Sequence, residues 1–169
     1  AVLPFDIDNT HTELIDALSK ADAIIHLAGI NRPLNPSEFM TGNLGLTSAI
    51  ADELEKMKRP VPIIFSSSIQ AELDNEYGKS KRAAEERLKT YAERTGAAVR
   101  IFRFANIFGK WCRPNYNSAV ATFCYNIAHD LPINIRDPQA PLRLLYIDDA
   151  VEAILRELLA QKIGFAYCQ

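Results

Sequence analysis

Short apolar runs alternate along this chain with segments long enough to form helices. The clearest run, residues 23–29, is apolar except for one histidine and stops at a glycine. Unbroken runs of this kind are typical of strands that are covered on both faces, as in parallel sheets. Further strand-like runs at residues 61–65 and 99–104 are likewise separated by a helical segment. The alternation predicts an α/β fold with a doubly wound parallel sheet.

The remaining elements follow from capping residues and periodicity. We predict a short strand at residues 1–7 and a helix beginning after Asn9 or Thr10. Gly96 should end one helix as a left-handed cap. The predicted helices are 37–58, 77–95, 118–130 and 148–161, and the predicted short strands are 133–135 and 144–147.

Composition limits the classes of protein that this chain can belong to. Its 169 residues, 48% hydrophobic and 24% charged, suit one globular domain over residues 1–169, with a small substrate-binding part around 107–145. A net charge of −2 gives no basic field for nucleic acid, and no apolar run approaches the ~20 residues that span a bilayer. Three cysteines match no metal-ligand spacing, so we predict no metal site and a reducing, cytoplasmic setting.

The strongest chemical signal is a strand that ends in three hydroxyls. Ser66, Ser67 and Ser68 follow an apolar run, and Tyr77 lies nine residues after the last of them. Tyr77 and Lys81 are spaced i and i+4, so they share one face of a helix. A serine can hold a carbonyl oxygen while the phenol gives or takes its proton, and a nearby ammonium should lower the phenol pKa. Taken alone the pair could be an ordinary surface pair; its order after the serines favours redox chemistry at a carbon–oxygen bond.

Two further segments end where a sheet would meet a ligand. Gly29, which closes the run containing His26, lets backbone approach a ligand closely, although His26 itself fits a core-edge histidine. Asn43 lies between Gly42 and Gly45 in a predicted helix, where each glycine costs about 1 kcal/mol of helix propensity. Close packing against a neighbouring strand would explain the glycines, and a hydrogen bond to that strand would explain Asn43.

A polar segment follows the strand at 99–104. It begins with Asn106 and Gly109 at the carboxyl end of the strand, where open α/β sheets bind ligands. Cations, aromatic rings and amides are the groups that would bind the phosphates, base and sugar of a nucleotide diphosphate. Alternatively, the segment is a solvated loop with scattered charge. The side chains in question are Lys110, Trp111, Arg113, Tyr116, Asn117, Arg136 and Arg143.

Taken in order, these pieces resemble the extended short-chain dehydrogenase/reductases of the NAD-dependent epimerase/dehydratase family. The matching segments are 26–29, Asn43, 65–68, 77–81, 103–109 and 146–149. A narrower resemblance, to the reductase domain of the CapF-type capsular-polysaccharide enzymes, lies in segments 28–33, 67–71 and 109–118. It implies a Rossmann-like fold and NAD(P)-dependent reduction of a UDP-linked 4-keto-6-deoxy-N-acetylhexosamine in capsule or O-antigen biosynthesis. The resemblance to the wider family also implies a homodimer paired through the helices at 37–58 and 77–95.

The resemblance assigns roles residue by residue. Tyr77 resembles the catalytic acid/base, Lys81 the ribose-binding lysine, and Ser68, or else Ser67, the hydroxyl that holds the C4 oxygen. Asn43 resembles the structural asparagine behind the central strand. The expected cofactor-binding residues are Asp6, His26, Leu27, Ala28, Gly29, Ser66, Tyr77, Lys81 and Phe104. The expected substrate-binding residues are Ser67, Gln70, Asn106, Lys110, Arg113, Asn117 and Arg136.

Several departures from the family pattern qualify these expectations. The glycine-rich first strand-turn-helix is absent, and the missing strand would lie between residues 1–7 and 23–28, so we expect a longer native chain whose truncation impairs cofactor binding. Leu142 replaces a phosphate-binding arginine, which leaves Arg113 or Arg136 to take that role. Ile69 and Gln70 replace the carboxylates that dehydration requires.

The sequence leaves alternatives open for both the cofactor and the reaction. Asp6, at the end of its predicted strand, would favour NAD(H), whereas the CapF-type resemblance implies NADP(H); Asp6 could also be a turn residue. The alternatives to a reductase are a nucleotide-sugar 4-epimerase and a non-catalytic nucleotide-binding or scaffold module.

Overall fold

Six strands form two separate groups in this computed structural model, which describes residues 1–135, 137–160 and 162–168. The strands are β1 (Ile24–His26), β2 (Ile63–Ser68), β3 (Val99–Phe104), β4 (Asn106–Phe108), β5 (Leu144–Tyr146) and β6 (Phe165–Cys168). A four-stranded sheet has the order β1-β2-β3-β6, and its β1–β2 and β3–β6 pairings are parallel. β4 and β5 form a separate parallel pair. The predicted parallel α/β architecture is therefore confirmed.

Several of the helices begin or end at capping residues. They are α1 (His11–Lys20), α2 (Ser37–Phe39), α3 (Leu46–Lys56), α4 (Glu76–Thr95), α5 (Ala119–Ala128) and α6 (Ile147–Leu159), with a π-helical segment at Met40–Gly45 and a 3₁₀ turn at Ile69–Glu72. Thr10 forms a capping box with Glu13, and Asn75 accepts the Gly78 N–H at the start of α4. Gly96 ends α4 with φ +74°, the predicted left-handed cap. None of the described helices is both long and apolar enough to cross a bilayer.

The apolar core explains why the strand runs are continuous. Ile63, Ile64 and Phe65 of β2 are all buried, as expected for a strand that is covered on both faces. Leu54 of α3 and Leu88 of α4 are fully buried in the same cluster as Phe65. Burial of successive residues therefore fixes the path of β2 and, with it, the position of the serines at its end.

The chain divides into two compact units. The first, here called the sheet unit, comprises Ala1–Arg103 and Glu157–Gln169, and it contains the four-stranded sheet. The second, here called the small unit, comprises Phe104–Arg156 and contains the β4–β5 pair and α5. A substrate-binding part around 107–145 remains a prediction.

Several predicted elements are wrong. Residues 1–7 form no strand, because within the described residues no strand pairs with β1 on the side away from β2; instead Asp6 opens a turn in which its carbonyl accepts the Asn9 N–H at 3.0 Å. Residues 133–135 likewise have no ladder partner and are irregular. β2 is longer than predicted and includes all three serines, α6 begins at Ile147, and β6 was not predicted.

Candidate active site

The end of β2 and the first turns of α4 come together through the 3₁₀ turn that joins them. Gly78 is the residue that permits this approach, since a Cβ there would lie 2.2 Å from the Gln70 carbonyl oxygen and 2.7 Å from that of Leu73. Tyr77, immediately before Gly78, is thereby held beside the serine strand. The predicted order of strand, serines, turn and helix is thus the order that the fold uses.

Ser68 and Tyr77 form the first contact between strand and helix. The Ser68 side chain lies close enough to the Tyr77 phenol to lower its pKa, and the Ser68 hydroxyl accepts the Gln70 N–H at 3.2 Å. The Tyr77 ring lies 5.6 Å from the Phe39 ring, which packs on it at an angle of 60°. A serine hydroxyl and a phenol therefore meet at one point, the arrangement that could bind a single substrate oxygen.

Lys81 lies one helical turn further along α4 and is almost completely buried. Its Nζ donates to the Ser66 carbonyl oxygen at 3.0 Å and lies 4.9 Å from the Phe65 ring centroid and 6.0 Å from that of Tyr77. Burial lowers the pKa of the Lys81 ammonium to about 8, and the nearby Glu85 carboxylate opposes that shift. Lys81 therefore titrates close to neutral pH.

The acidity of Tyr77 differs from the expectation drawn from the sequence. Burial raises the pKa of the Tyr77 phenol, and the hydrogen bond from Ser68 only partly opposes it. Lys81 does not produce the expected lowering, because its amine is directed to the Ser66 carbonyl. The Tyr77 phenol therefore carries its proton at neutral pH and can act as a proton donor.

Ser67 faces a different set of partners from those of Ser68. Successive strand residues point to opposite faces, and the Ser67 hydroxyl donates to the Glu85 carboxylate, which is fully buried. Glu85 also accepts from Arg103 and from the Tyr167 hydroxyl, the latter at 3.1 Å. Of the two serines that the sequence left open, Ser68 is the one that meets Tyr77.

A buried amide supports the site from behind. Asn43 accepts the Ile30 N–H at 2.8 Å and donates to the Ile30 carbonyl at 3.1 Å and to Ser80 Oγ at 2.8 Å. Ser80 in turn donates to the Tyr77 carbonyl at 2.7 Å. The bond predicted from Asn43 to a neighbouring strand forms instead with Ile30, which lies beyond the end of β1. A Cβ on Gly42 would likewise meet Ile30 rather than a strand, whereas Gly45 has open space around it.

The end of β1 lies beside the same lysine. His26 is buried, with its ring 5.0 Å from Phe65 and its Nε2 2.9 Å from Thr47 Oγ1. Thr47 already donates to the Asn43 carbonyl, so His26 must donate through Nε2–H. Burial, assisted by Lys81, lowers the pKa of His26 to about 4 and keeps the ring neutral. His26 is thus a bonded core histidine, whereas Leu27 and Ala28 are exposed.

The residues around Lys81 fit a nicotinamide dinucleotide. A Cβ on Gly29 would lie 2.7 Å from Asn43 Oδ1 and 3.1 Å from Lys81 Nζ, so glycine keeps the chain beside the amine free of a side chain. Residues 27–29 are exposed, and Gly29 brings the chain close to that amine. These are the groups that would hold the ribose and nicotinamide of the cofactor. Ser66, also predicted to bind cofactor, contributes the carbonyl that fixes Lys81.

Asp6 does not occupy the position that was predicted for it. It lies in an exposed turn, where its carboxylate accepts the N–H of Ile7 at 2.7 Å, and it does not end a strand. The strand-end argument for NAD(H) is therefore wrong, and the turn interpretation of Asp6 is the one that the structure favours. Gln70 is exposed in the 3₁₀ turn.

Most of the predicted substrate-binding residues lie in the small unit. Asn106 donates to the Arg143 carbonyl at 3.1 Å, and Lys110 pairs with Asp148 at 2.6 Å. The Arg113 guanidinium lies 5.7 Å from the Tyr116 ring centroid. Phe104, predicted to bind cofactor, also belongs to this unit, as does the exposed Asn117. Arg136 lies outside the described residues.

Two functional neighbours were not predicted from the sequence. Glu85 follows Lys81 at i+4 and Tyr77 at i+8, so the same helical periodicity that identified the pair could have identified it. Ser80 lies inside the segment of the Tyr–Lys pair, but nothing in the sequence indicates that it bridges Asn43 and Tyr77.

Comparison with known proteins gives consistent relatives. A UDP-2-acetamido-2,6-beta-L-arabino-hexul-4-ose reductase from Pseudomonas aeruginosa is 50% identical over 155 residues, which cover 92% of this chain and 42% of the relative. The capsular polysaccharide assembling protein CapF from Staphylococcus aureus is 44% identical, with a TM-score of 0.80 over 95% of this chain and 44% of that structure. A UDP-N-acetylglucosamine 4-epimerase from Bacillus cereus is 25% identical with a TM-score of 0.76, over 95% of this chain and 59% of its own.

The chain thus spans less than half the length of the reductase and of CapF. The model of the NAD dependent epimerase/dehydratase family matches residues 3–164, nearly the whole sequence. The chain therefore belongs to the NAD dependent epimerase/dehydratase family.

Proposed function

We propose that the protein containing this chain reduces a UDP-linked 4-keto-6-deoxy-N-acetylhexosamine at C4, using NADP(H) or NAD(H), in the synthesis of a capsule or O-antigen polysaccharide. The observation that carries the proposal is the meeting of Ser68 and Tyr77 beside the buried Lys81 at the end of β2. The 50% identity to a UDP-sugar 4-ketose reductase supports this substrate class.

Each residue has a distinct task in this reaction. The Ser68 hydroxyl donates a hydrogen bond to the C4 oxygen and fixes its position beside Tyr77. Tyr77, whose pKa burial raises, gives its proton to the oxygen as negative charge develops there. Lys81 presents a cation that would bind the cofactor ribose. The bound nicotinamide cofactor supplies the hydride.

Replacement of Tyr77 tests the proposal directly. In the full native polypeptide, Tyr77→Phe should abolish cofactor oxidation with the 4-keto sugar, because phenylalanine has no proton to give, while cofactor affinity stays nearly unchanged. Tyr91→Phe is the matched control on the same helix, since the Tyr91 hydroxyl donates to the Arg59 and Val61 carbonyls. It should lower stability but leave turnover per folded molecule intact.

Two outcomes would contradict this assignment in different ways. Full turnover by Tyr77→Phe would remove Tyr77 from the mechanism. Turnover with tightly retained cofactor and no net oxidation would indicate the 4-epimerase reaction, which the similarity to a 4-epimerase makes the second candidate.

We also infer a homodimer in the cytoplasm. The proposed contact between protomers is made by the helices at 37–58 and 77–95. Within one protomer these helices lie side by side, and Arg87 forms ion pairs with Asp52 and Glu55 there. The three cysteines are free, which suits a reducing compartment. Light scattering of the full native polypeptide should give twice the protomer mass, and a monomeric mass would contradict the dimer.

A further inference from the structure

Three consecutive serines of β2 are each joined to a different residue of α4. The Ser66 carbonyl accepts from Lys81, the Ser67 hydroxyl donates to Glu85, and the Ser68 side chain lies beside the Tyr77 phenol and lowers its pKa. Positions 77, 81 and 85 are spaced by four residues, so they form one stripe on the helix. Glu85, the third residue of this stripe, has no part in the mechanism described above.

Glu85 is an unusual residue to find in that position. Its side chain is fully buried although it is ionisable, which is costly unless partners satisfy the charge. Arg103 supplies a forked contact, with Nη2 at 2.6 Å and Nε at 3.0 and 3.2 Å from the carboxylate oxygens. The Tyr167 hydroxyl donates to the Glu85 carboxylate at 3.1 Å, and Arg103 Cζ lies 4.6 Å from the centroid of the Tyr167 ring.

These contacts tie four elements to one carboxylate. Ser67 belongs to β2, Arg103 to β3, Tyr167 to β6 and Glu85 itself to α4. Arg103 continues the network to Glu72 in the 3₁₀ turn at 3.0 Å. The strand end that carries Ser68 and the turn that leads to Tyr77 are therefore both attached to the same buried ion pair.

The charges around Lys81 make Glu85 electrostatically important as well. Lys81 is faced by His26 from β1, which is neutral, and by Tyr77 and Glu85 from its own helix. Glu85 is the carboxylate whose field favours the Lys81 ammonium against the effect of burial. Glu85 in turn contacts Arg103 and raises the pKa of its guanidinium. It also contacts Tyr167, whose phenol pKa is raised by burial and then by Glu85.

We propose that Glu85 is a positioning residue of the active site: it fixes the serine end of β2 against α4 through Ser67, and it places a buried negative charge one helical turn from Lys81. This inference rests on the proposed reductase function for its kinetic consequence, but its electrostatic part concerns Lys81 alone. Removal of the charge should therefore affect the lysine even where no substrate turns over.

The test is Glu85→Gln in the full native polypeptide, with Glu86→Gln as the matched control. Glu86 is the next residue on α4 and is exposed, so the same change there should alter nothing. In Glu85→Gln, kcat should fall by roughly tenfold or more with little change in KM, because the catalytic groups are misplaced. The alkaline limb of the kcat profile should also move to lower pH.

A direct titration separates this role from a merely structural one. The ε-carbon resonance of Lys81, followed by NMR in ¹³C-lysine-labelled protein, should titrate at a lower pH in Glu85→Gln than in the wild type and in Glu86→Gln. Loss of packing alone would lower stability without moving that midpoint relative to the control. An unchanged midpoint and an unchanged alkaline limb in folded Glu85→Gln would overturn the proposal.

Ser67→Ala keeps the proposal testable if Glu85→Gln does not fold. It removes the bond to the strand but keeps the charge, so kcat should fall while the Lys81 midpoint stays at its wild-type value. Wild-type kcat in Ser67→Ala would overturn the positioning role. Failure of the reductase proposal looks different: the wild type itself would not reduce the 4-keto sugar, while the Lys81 midpoint would still fall in Glu85→Gln.

Discussion

Buried polar side chains that are fully bonded hold the active-site residues in place. Asn43 makes three hydrogen bonds through its amide, and Ser80 connects that amide to the backbone of Tyr77. A buried polar group left without its partner destabilises a protein far more than its net bond strength suggests. Single side chains behind the site should therefore control stability.

Asn43→Ala should lower the free energy of unfolding by roughly 2–4 kcal/mol, since it leaves the Ile30 N–H and carbonyl without their partner. Urea denaturation measures the change. Asn35→Ala is the control, because Asn35 is exposed and bonds only Glu38 at the surface, so its loss should stay below about 1 kcal/mol. Equal effects of the two variants would contradict the structural role of Asn43.

His26 should make stability depend on pH in a defined window. Its pKa is about 4 in the folded protein and 6.5 ordinarily, so protons bind preferentially to the unfolded chain between these values. The stability contribution is therefore complete above pH 6.5 and is lost as the pH falls towards 4. At pH 5 the loss should be about 2 kcal/mol.

Denaturation at pH 7.5 and pH 5 tests this expectation. In His26→Gln the difference between the two pH values should shrink by about 2 kcal/mol relative to the wild type. If the free energy of unfolding of His26→Gln changes between the two pH values as much as that of the wild type, His26 is not the titrating group.

At the level of whole elements, the approach of α4 to the turn before it decides the geometry. The two glycines at positions 45 and 78 both lie in helical backbone, but only Gly78 meets other atoms where a Cβ would stand. Alanine is the better helix former by up to about 1 kcal/mol. The same substitution should therefore have opposite effects at these two positions.

Gly78→Ala should destabilise the protein by about 1–3 kcal/mol and reduce kcat, because α4 must move away from the Gln70 and Leu73 carbonyls. Gly45→Ala should stabilise it by up to about 1 kcal/mol. Thermal unfolding and steady-state kinetics of both variants check the pair. A stabilising Gly78→Ala with intact kcat would show that the close approach does not matter.

Elements with a strong local signal could be predicted from the sequence, and those that depend on pairing could not. β3 and α4 match the prediction almost to the residue, because an apolar run and a glycine cap define them locally. Residues 1–7 read as a strand, but a strand needs a neighbour that local pattern does not reveal. β6 was missed because four residues after Gly164 carry little periodic signal.

The site shows the same division. Tyr77, Lys81 and Ser68 follow from spacing, whereas the direction of the Tyr77 pKa shift does not, because burial and the orientation of Lys81 are tertiary properties. The choice between Ser67 and Ser68 likewise needed the alternation of the strand and the position of Glu85.

On the scale of the whole molecule, the proposed catalytic residues and most of the predicted substrate-binding residues belong to different units. Ser68, Tyr77 and Lys81 lie in the sheet unit, whereas Asn106, Lys110 and Arg113 lie in the small unit. Changes in the small unit should therefore alter substrate binding more than the chemical step.

Arg113→Ala should raise KM for the UDP-sugar by roughly tenfold and leave kcat within about twofold, because it removes an interaction that substrate and transition state share. Arg156→Ala is the matched control in the same unit, since Arg156 is exposed and faces only Glu152 at 3.8 Å. Steady-state kinetics of the full native polypeptide measure both. An unchanged KM in Arg113→Ala would remove this arginine from substrate recognition.

The protonated phenol of Tyr77 has a consequence for the direction of catalysis. A phenol that keeps its hydrogen at neutral pH can donate it but cannot accept another. Conversion of a ketone to an alcohol therefore needs no prior ionisation of Tyr77. Running backwards, from alcohol to ketone, would first require that hydrogen to leave. Alcohol oxidation by the proposed reductase should therefore speed up as the pH rises, because a larger fraction of the phenol is then ionised.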